Sequence, residues 1–388
     1  MIYVFRLIID VYSLMFEILV PYHCNSTTKI VKNRTLTFIG LLFFVLSGLV
    51  SAQESYAGHE FNEANLLFQN ETPISMKWSY SDKDMRKQTN DSTFLDCVLS
   101  YQQEDGTWDS LEVQVRARGN WRKENCFLTP VKVRIKKEQR KGTLFEGNKE
   151  LKMVLPCRNN DQGQDYVLKE YMAYKIYEPV SPFHFKTRRV ALEFTDDRGK
   201  KAKSYQLEAF FIEDTKEVAD RCNAKRLRRS VHPQQQDDYT SAQSDFFQFM
   251  IANTDFSLAY QHNAKLLFVE GMRTVPVPYD FDMSGFVNTN YAVVSQIQGE
   301  QLPIDRVTDR LFRGYKRPPG VFEQVRDHYL SQKDAIMAKA EALQPEFRDP
   351  KQYEEARDFL LEYFAILQDK AKFKNKIVDK AIVGADKD

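Results

Sequence analysis

Between Leu111 and Lys137 the chain alternates apolar and charged residues twice over. In LEVQVRARG (111–119), Leu111, Val113, Val115 and Ala117 share one face, and Glu112, Gln114, Arg116 and Arg118 share the other. In VKVRIKK (131–137), Val131, Val133 and Ile135 oppose Lys132, Arg134 and Lys136. A period of two predicts strands with one buried face, because successive side chains of a strand point to opposite sides. The intervening GNWRKEN is turn-like. Further strands are expected at ISMKWSY and FLDCVLSY, at RRVALEFTDD and SYQLEAFFIED across the charged turn DDRGKK, and at LKMVLP, which reads as buried. LLFQ, in a lead-in over 53–75, reads as a first strand. One helix stands among them: in DYVLKEYMAYKIY (165–177), Val167, Tyr171, Tyr174 and Ile176 follow helical spacing.

After Glu213 the texture changes. Residues 216–240 form a polar connection whose KRLRR run reads as a solvated face. SAQSDFFQFMIAN predicts a helix with an aromatic face, and KLLFVEG and TVPVPYDF predict a strand pair. PIDRVTDRLFRGY and the segments opening at PGVFEQ and PKQYEE predict helices. The expectation is an α+β chain of two lobes, β-rich over 53–215 and α-rich over 216–388, with a ligand cleft between them. The composition, 43% hydrophobic and 28% charged, excludes collagen-like, coiled-coil and wholly disordered chains. A net charge of +1 offers no field for nucleic acid.

The amino terminus differs from the rest. TLTFIGLLFFVLSGLVSA (35–52) follows Lys32 and Arg34, with Val50 and Ala52 placed for signal-peptidase cleavage. Residues 31–52 therefore read as a signal peptide, with an uncleaved anchor as the rival, and the product is expected in the periplasm, at the cell surface or outside the cell. Nothing after the cleavage site predicts a stable membrane span. Residues 1–30 read as an upstream extension, with translation starting at Val31; unchanged expression after Val31 is made non-initiating would exclude that start. Removing 1–52 leaves 51 basic against 52 acidic residues, a net charge of −1, and four cysteines, Cys97, Cys126, Cys157 and Cys222. These allow three complete pairings and contain no CxxC.

The densest chemistry lies between Asn253 and Gly285: Asn253-Thr-Asp255, His262-Asn263 and Tyr279-Asp280-Phe281-Asp282. Asp and Asn supply hard oxygens suited to Mg²⁺ or Mn²⁺. An Asp, then an Asn, then a hairpin, then an Asp-Phe pair is the ordering of phosphoryl-transfer sites. The Asp255–Asn263 spacing exceeds the D-x₄-N of ordinary protein kinases, and caps and Asx turns use the same residues structurally. In the β-rich half, Arg116, Arg118, Gly119 and Lys136 form a Gly-bearing basic turn able to embrace phosphates. Glu170, on the helix, could hold such a lysine in place. A zinc hydrolase, a P-loop ATPase and a G-x-S-x-G hydrolase are excluded for lack of their motifs.

VQVRARGN with PVKVRIK, LKEYMAYKIY, FFIED, IANTDFSLAYQHN and PVPYDFDMSG, in that order, resemble the spore coat protein H (CotH) kinase-like family. The similarity spans roughly residues 110–290, and RLFRGYKRP is similar to a segment of exported bacterial members. The resemblance implies an atypical protein-kinase-like two-lobe fold and ATP-dependent, Mg²⁺- or Mn²⁺-dependent phosphorylation of protein Ser. It places Asp255 as the catalytic-loop acid, Asn263, Asp280 and Asp282 at the metal, and Lys136, Glu170, Arg118 and Gly119 at the nucleotide. WRKEN replaces the family's serine-rich continuation after the R-G-N turn. A non-catalytic surface module and a metal-dependent phosphohydrolase are the alternatives.

Overall fold

The strict alternation predicted for the first half builds a sheet that closes on itself. In the computed structural model, which describes Tyr56, residues 58–297 and residues 300–384, seven strands form a barrel. They are β1 (Ile74–Tyr80), β2 (Leu95–Gln102), β3 (Trp108–Ala117), β4 (Val131–Ile135), β5 (Glu150–Val154), β6 (Thr187–Asp196) and β7 (Lys203–Ile212), in the order β1-β2-β3-β4-β5-β7-β6. Neighbours are antiparallel except at the closure, where β1 runs parallel to β6 with Ile74 opposite Val190 and Tyr80 opposite Asp196. The inward residues, among them Trp78, Leu99, Val113, Val115, Val133, Met153, Phe194 and Phe211, fill the interior. The outward face of β3 and β4 is a solvated basic surface: Arg116 pairs with Asp91 at 2.9 Å, Arg134 pairs with Glu150 at 2.9 Å, and both pack on Phe94.

This barrel overturns the expected two-lobe kinase-like fold. The α+β class stands, but the β-rich half is a closed cylinder rather than an open lobe. The cause is register over a distance: β1 finds its second partner more than a hundred residues downstream, a parallel pairing that local periodicity does not reveal.

Helices and a second sheet share with the barrel the unit that begins at Gly58. The helices are α1 (Asp82–Gln88), α2 (Asn120–Asn125), α3 (Lys137–Arg140), α4 (Asp161–Tyr177), α5 (Thr215–Arg221), α6 (Asp238–Met250), α7 (Val321–Ser331), α8 (Lys333–Glu341), α9 (Pro350–Gln368) and α10 (Lys370–Lys376). Each long helix has a local start signal: Asn160 accepts from the Gly163 amide, Asp237 from Thr240, and Asp349 from Lys351 before a Pro at N1. A second sheet holds β8 (Ala224–Leu227), β9 (Ala264–Val269) and β10 (Thr274–Pro278) in the order β10-β9-β8. The short pair β11 (Gln296–Ile297) and β12 (Glu300–Gln301) completes the strands.

The structure revises four local expectations. LLFQ forms a single 3₁₀ turn, Leu66–Phe68. The polar connection 216–240 is built structure, with Asp214 capping α5 and Arg221 pairing with Glu213 at 3.1 Å, while the basic run keeps its expected solvated face, Lys225, Arg226, Arg228 and Arg229 being exposed even as its backbone pairs with β9 in β8. Residues 303–315 are not helical; they run through bends and turns, and Arg310 and Arg313 donate to carbonyls of Met250, Thr254 and Phe256. GNWRKEN is a helix (α2) rather than a plain turn. The predicted extension (1–30) and signal peptide (31–52) lie outside the described residues. Among the described residues no helix is long and apolar enough to cross a membrane.

Candidate functional site

The β9–β10 hairpin gathers the acidic motifs. Its last pair is Ala264 opposite Pro278, and one step further the Tyr279 amide donates to the Asn263 carbonyl at 3.1 Å. The loop carrying Asp255 and the segment carrying Asp280 therefore emerge at the same end. Asp255 accepts from His262 Nε2 at 3.0 Å and from Asn263 Nδ2 at 3.0 Å. Hydrogen bonding to Asp255 raises the His262 pKa. Asn253 makes the Asx turn, accepting from the Asp255 amide, which leaves the Asp255 side chain free of that duty. Arg313, from the irregular 303–315 segment, clamps the carbonyls of Thr254 and Phe256 on either side of Asp255.

Asp280 adopts φ +66°, a left-handed conformation uncommon for a residue with a Cβ. Its amide donates to Tyr174 Oη at 2.9 Å. Tyr174 lies one turn beyond Glu170 on the same face of α4, so one helix addresses both Asp280 and the acids around it. The Asp280 carboxylate has neither ion pair nor hydrogen bond among the described residues. Burial pushes it up, but the fields of Arg122, Arg118, Lys152 and His262 outweigh burial and hold it below the ordinary carboxylate range.

Opposite stand cations that have no ion-pair partner among the described residues. Lys152 projects outward from β5, with Nζ 4.2 Å from the Tyr279 ring centroid and 5.6 Å from that of Phe185. Lys265 lies 4.8 Å from the Tyr279 centroid. Burial, with the neighbouring charges of Arg118 and Lys265, lowers the Lys152 pKa to about 7, against the pull of Asp280. Arg118, just past β3, has a buried Nε without a hydrogen-bond partner. Gly119 follows at φ +75°, a turn that a side chain would strain. Two lysines over one aromatic ring, with Arg118 close enough to lower the Lys152 pKa, form an anion site in search of an anion.

A buried triad fixes the geometry. Arg122 of α2 donates from Nε to Asp282 at 2.9 Å and from Nη2 to Glu170 at 3.3 Å. Burial raises the pKa of both acids, Glu170 to about 8, although Arg122 opposes the shift. Glu170 Oε1 is buried without a partner.

The structure thus brings Arg118, Gly119, Glu170, Asp255, Asn263, Asp280 and Asp282 to one region. Lys136 stands apart. It is exposed at the start of α3, four residues beyond Lys132, the residue opposite Lys152; that is ~13 Å along the strand. Lys152, Arg122 and Arg313 are the residues that sequence patterning missed. A lysine interrupting the apolar run LKMVLP was the available signal for the first; WRKEN and RLFRGYKRP contain the other two without marking them.

Among the described residues no group of three or more His, Cys, Asp or Glu side chains forms a metal cage. The oxygens present still fit a divalent cation of another kind. The unpaired Asp280 carboxylate, together with the Asn263 side-chain oxygen left over when its Nδ2 serves Asp255, suits Mg²⁺ shared with phosphates, an ion that takes one or two carboxylates and keeps other oxygens from its ligand. Asp282 is committed to Arg122 and is a poor ligand. No protein-family model matches the chain, and no curated relative matches it.

Proposed function

We propose that this chain is an exported phosphotransferase that moves the γ-phosphoryl group of a nucleoside triphosphate to a protein hydroxyl. The observation that carries this is the set of unpaired cations, Arg118, Lys152 and Lys265, beside the unpaired, ionised Asp280. Arg118 and Lys152 would hold the phosphates. Asp280 and Asn263 would hold a divalent cation, whose chemistry is to offset phosphate charge. Asp255, fixed by Asn263 and His262, borders a cleft of about 790 Å³ that also touches Met283, Ser295, Gln296 and Arg306, room enough for an acceptor segment. There the acceptor oxygen bonds to the γ-phosphorus, the bond to the β-bridging oxygen breaks, the proton passes to Asp255 and the nucleoside diphosphate leaves. Catalysis is then positioning and charge stabilisation. The ordered motifs resembling the CotH family support the same chemistry, and a disulfide between Cys126 and Cys157 supports an oxidising compartment.

The test is Mg²⁺- or Mn²⁺-dependent incorporation of γ-phosphate into protein. Asp255→Ala is expected to lower it by about 10²–10⁴-fold, the range for a positioned base. Equal incorporation by wild type and variant would end the assignment.

Lys152 makes nucleotide affinity pH-dependent. Its lowered pKa leaves it half neutral near pH 7, and an anion should bind the charged form. Affinity should therefore weaken about fivefold from pH 7 to pH 8, as the charged fraction falls. Lys152→Arg should abolish that slope while retaining binding; calorimetry across pH 6–9 reads both.

One observation favours a non-catalytic binding module instead: Glu170 pairs with Arg122 and not with Lys152. Nucleotide-dependent thermal stabilisation without phosphate transfer would identify that case.

A further inference from the structure

Arg118, Gly119 and Arg122 reach the site on one short arm, which runs from the end of β3 through α2 to Cys126. Cys126 is disulfide-bonded to Cys157, in the connection between β5, which bears Lys152, and α4, which bears Glu170. The same crossing carries a backbone bond from the Phe127 amide to the Cys157 carbonyl at 2.9 Å. On its other side the arm is held by Arg86 of α1, which donates to the carbonyls of Cys126 at 2.9 Å and Phe127 at 2.8 Å. The disulfide is thus the covalent tie between the arm and the elements that bear the other half of the site, while Arg86 ties the arm's end to the barrel side. The other two cysteines among the described residues are placed elsewhere. Cys97 is on β2, where its sulfur accepts from Trp78 Nε1, and Cys222 is buried after α5.

We propose that the Cys126–Cys157 disulfide is a compartment-dependent latch: the phosphate site is assembled only when the bond is closed. The inference rests on the phosphotransfer reading for the consequence but not for the motion. In a thiol-rich cytoplasm the precursor would carry two thiols, and Arg118 and Arg122 would sample positions off the site. In an oxidising compartment the bond forms and fixes them. The chain would then be unable to spend cytoplasmic nucleotide on cytoplasmic proteins before export. Opening the latch needs a dithiol reductant: the S–S bond breaks, two electrons and two protons give the Cys126 and Cys157 thiols, and the reductant becomes a disulfide.

The experiment compares the oxidised full-length mature protein, the same protein reduced with a small dithiol, the Cys126→Ser/Cys157→Ser double variant, and Cys222→Ser as control. Backbone hydrogen exchange over residues 119–126, phosphate transfer, and far-ultraviolet circular dichroism of the barrel are read on each. The expected result is at least tenfold faster exchange in the arm and at least tenfold slower transfer in the reduced protein and the double variant, with the barrel spectrum unchanged and the control like wild type. Equal arm exchange in oxidised and reduced protein overturns the latch. So does global unfolding on reduction, since the bond would then staple the whole fold. Faster arm exchange with no transfer in any sample, the oxidised one included, supports the mechanical latch and rejects phosphotransfer.

Discussion

Asp280→Asn is expected to lower phosphate transfer by at least about 10³-fold, at the upper end of what one preorganised electrostatic group contributes, and to leave the fold intact. Asn tolerates the left-handed backbone that Asp280 adopts, and the bond from the residue-280 amide to Tyr174 uses no side-chain atom. The carboxylate makes no hydrogen bond or ion pair among the described residues, so the stability lost is only its longer-range attraction to the neighbouring cations. The substitution removes one negative charge from beside Arg118, Arg122 and Lys152. Metal-free nucleotide should therefore bind the variant at least as well as wild type, while the extra thermal stabilisation conferred by Mg²⁺ disappears. Thermal shift with ATP alone and with ATP plus Mg²⁺ separates the two effects. Transfer at wild-type rates by Asp280→Asn would remove Asp280 from the chemistry.

Arg122→Met should cost about 3–5 kcal/mol of stability, the usual consequence of deleting one partner from a buried ion pair. It strands two acids, Glu170 and Asp282, in a site that already disfavours their charge. The sign with pH is specific. Glu170 and Asp282 have folded-state pKa values above those of the unfolded chain, so the folded protein binds more protons between the two values, and stability falls as pH rises through that window. For Glu170 it opens near the ordinary 4.5 and closes near 8 in wild type. Without the guanidinium it should extend higher, so the stability deficit of Arg122→Met should be smaller at pH 5 than at pH 8. Adding Glu170→Gln and Asp282→Asn should recover part of the loss and flatten its pH dependence. Chemical denaturation at both pH values measures this; a pH-independent deficit would show that the acids are not the cause.

The sequence was most legible where one face is buried. Val113, Val115, Val133 and Ile135 announced their strands because water selects the pattern directly, and α4 announced itself through Tyr171 and Tyr174. Closure of the barrel was not legible, since it depends on β1 meeting β6 across the intervening chain. The acidic half of the site was legible because its residues cluster within 253–282. The basic half was legible only in part: the strand turn marked Arg118 and Gly119 but not Lys152. Lys136 and Lys152 both follow apolar strand residues, and only the pairing of β4 with β5 and β5 with β7 turns Lys152 toward α4 and Tyr279. Arg122 was hidden for a related reason: its partners lie 48 and 160 positions away.

A sheet that meets its own beginning has no free rim. Each of its seven strands has a neighbour on both sides, so none is an edge strand, although β7 meets β5 only through Phe210, Phe211 and Ile212 and leaves residues 203–209 paired on one side alone. The second sheet is open: β8 and β10 are its outer strands, and β8 carries Lys225 and Arg226. Lysine-bearing rims discourage indiscriminate strand addition while admitting an acidic extended segment. The whole-length outer strands therefore lie in the sheet whose hairpin ends at Asn263 and Tyr279, so a partner that adds a strand there docks beside the acidic cluster.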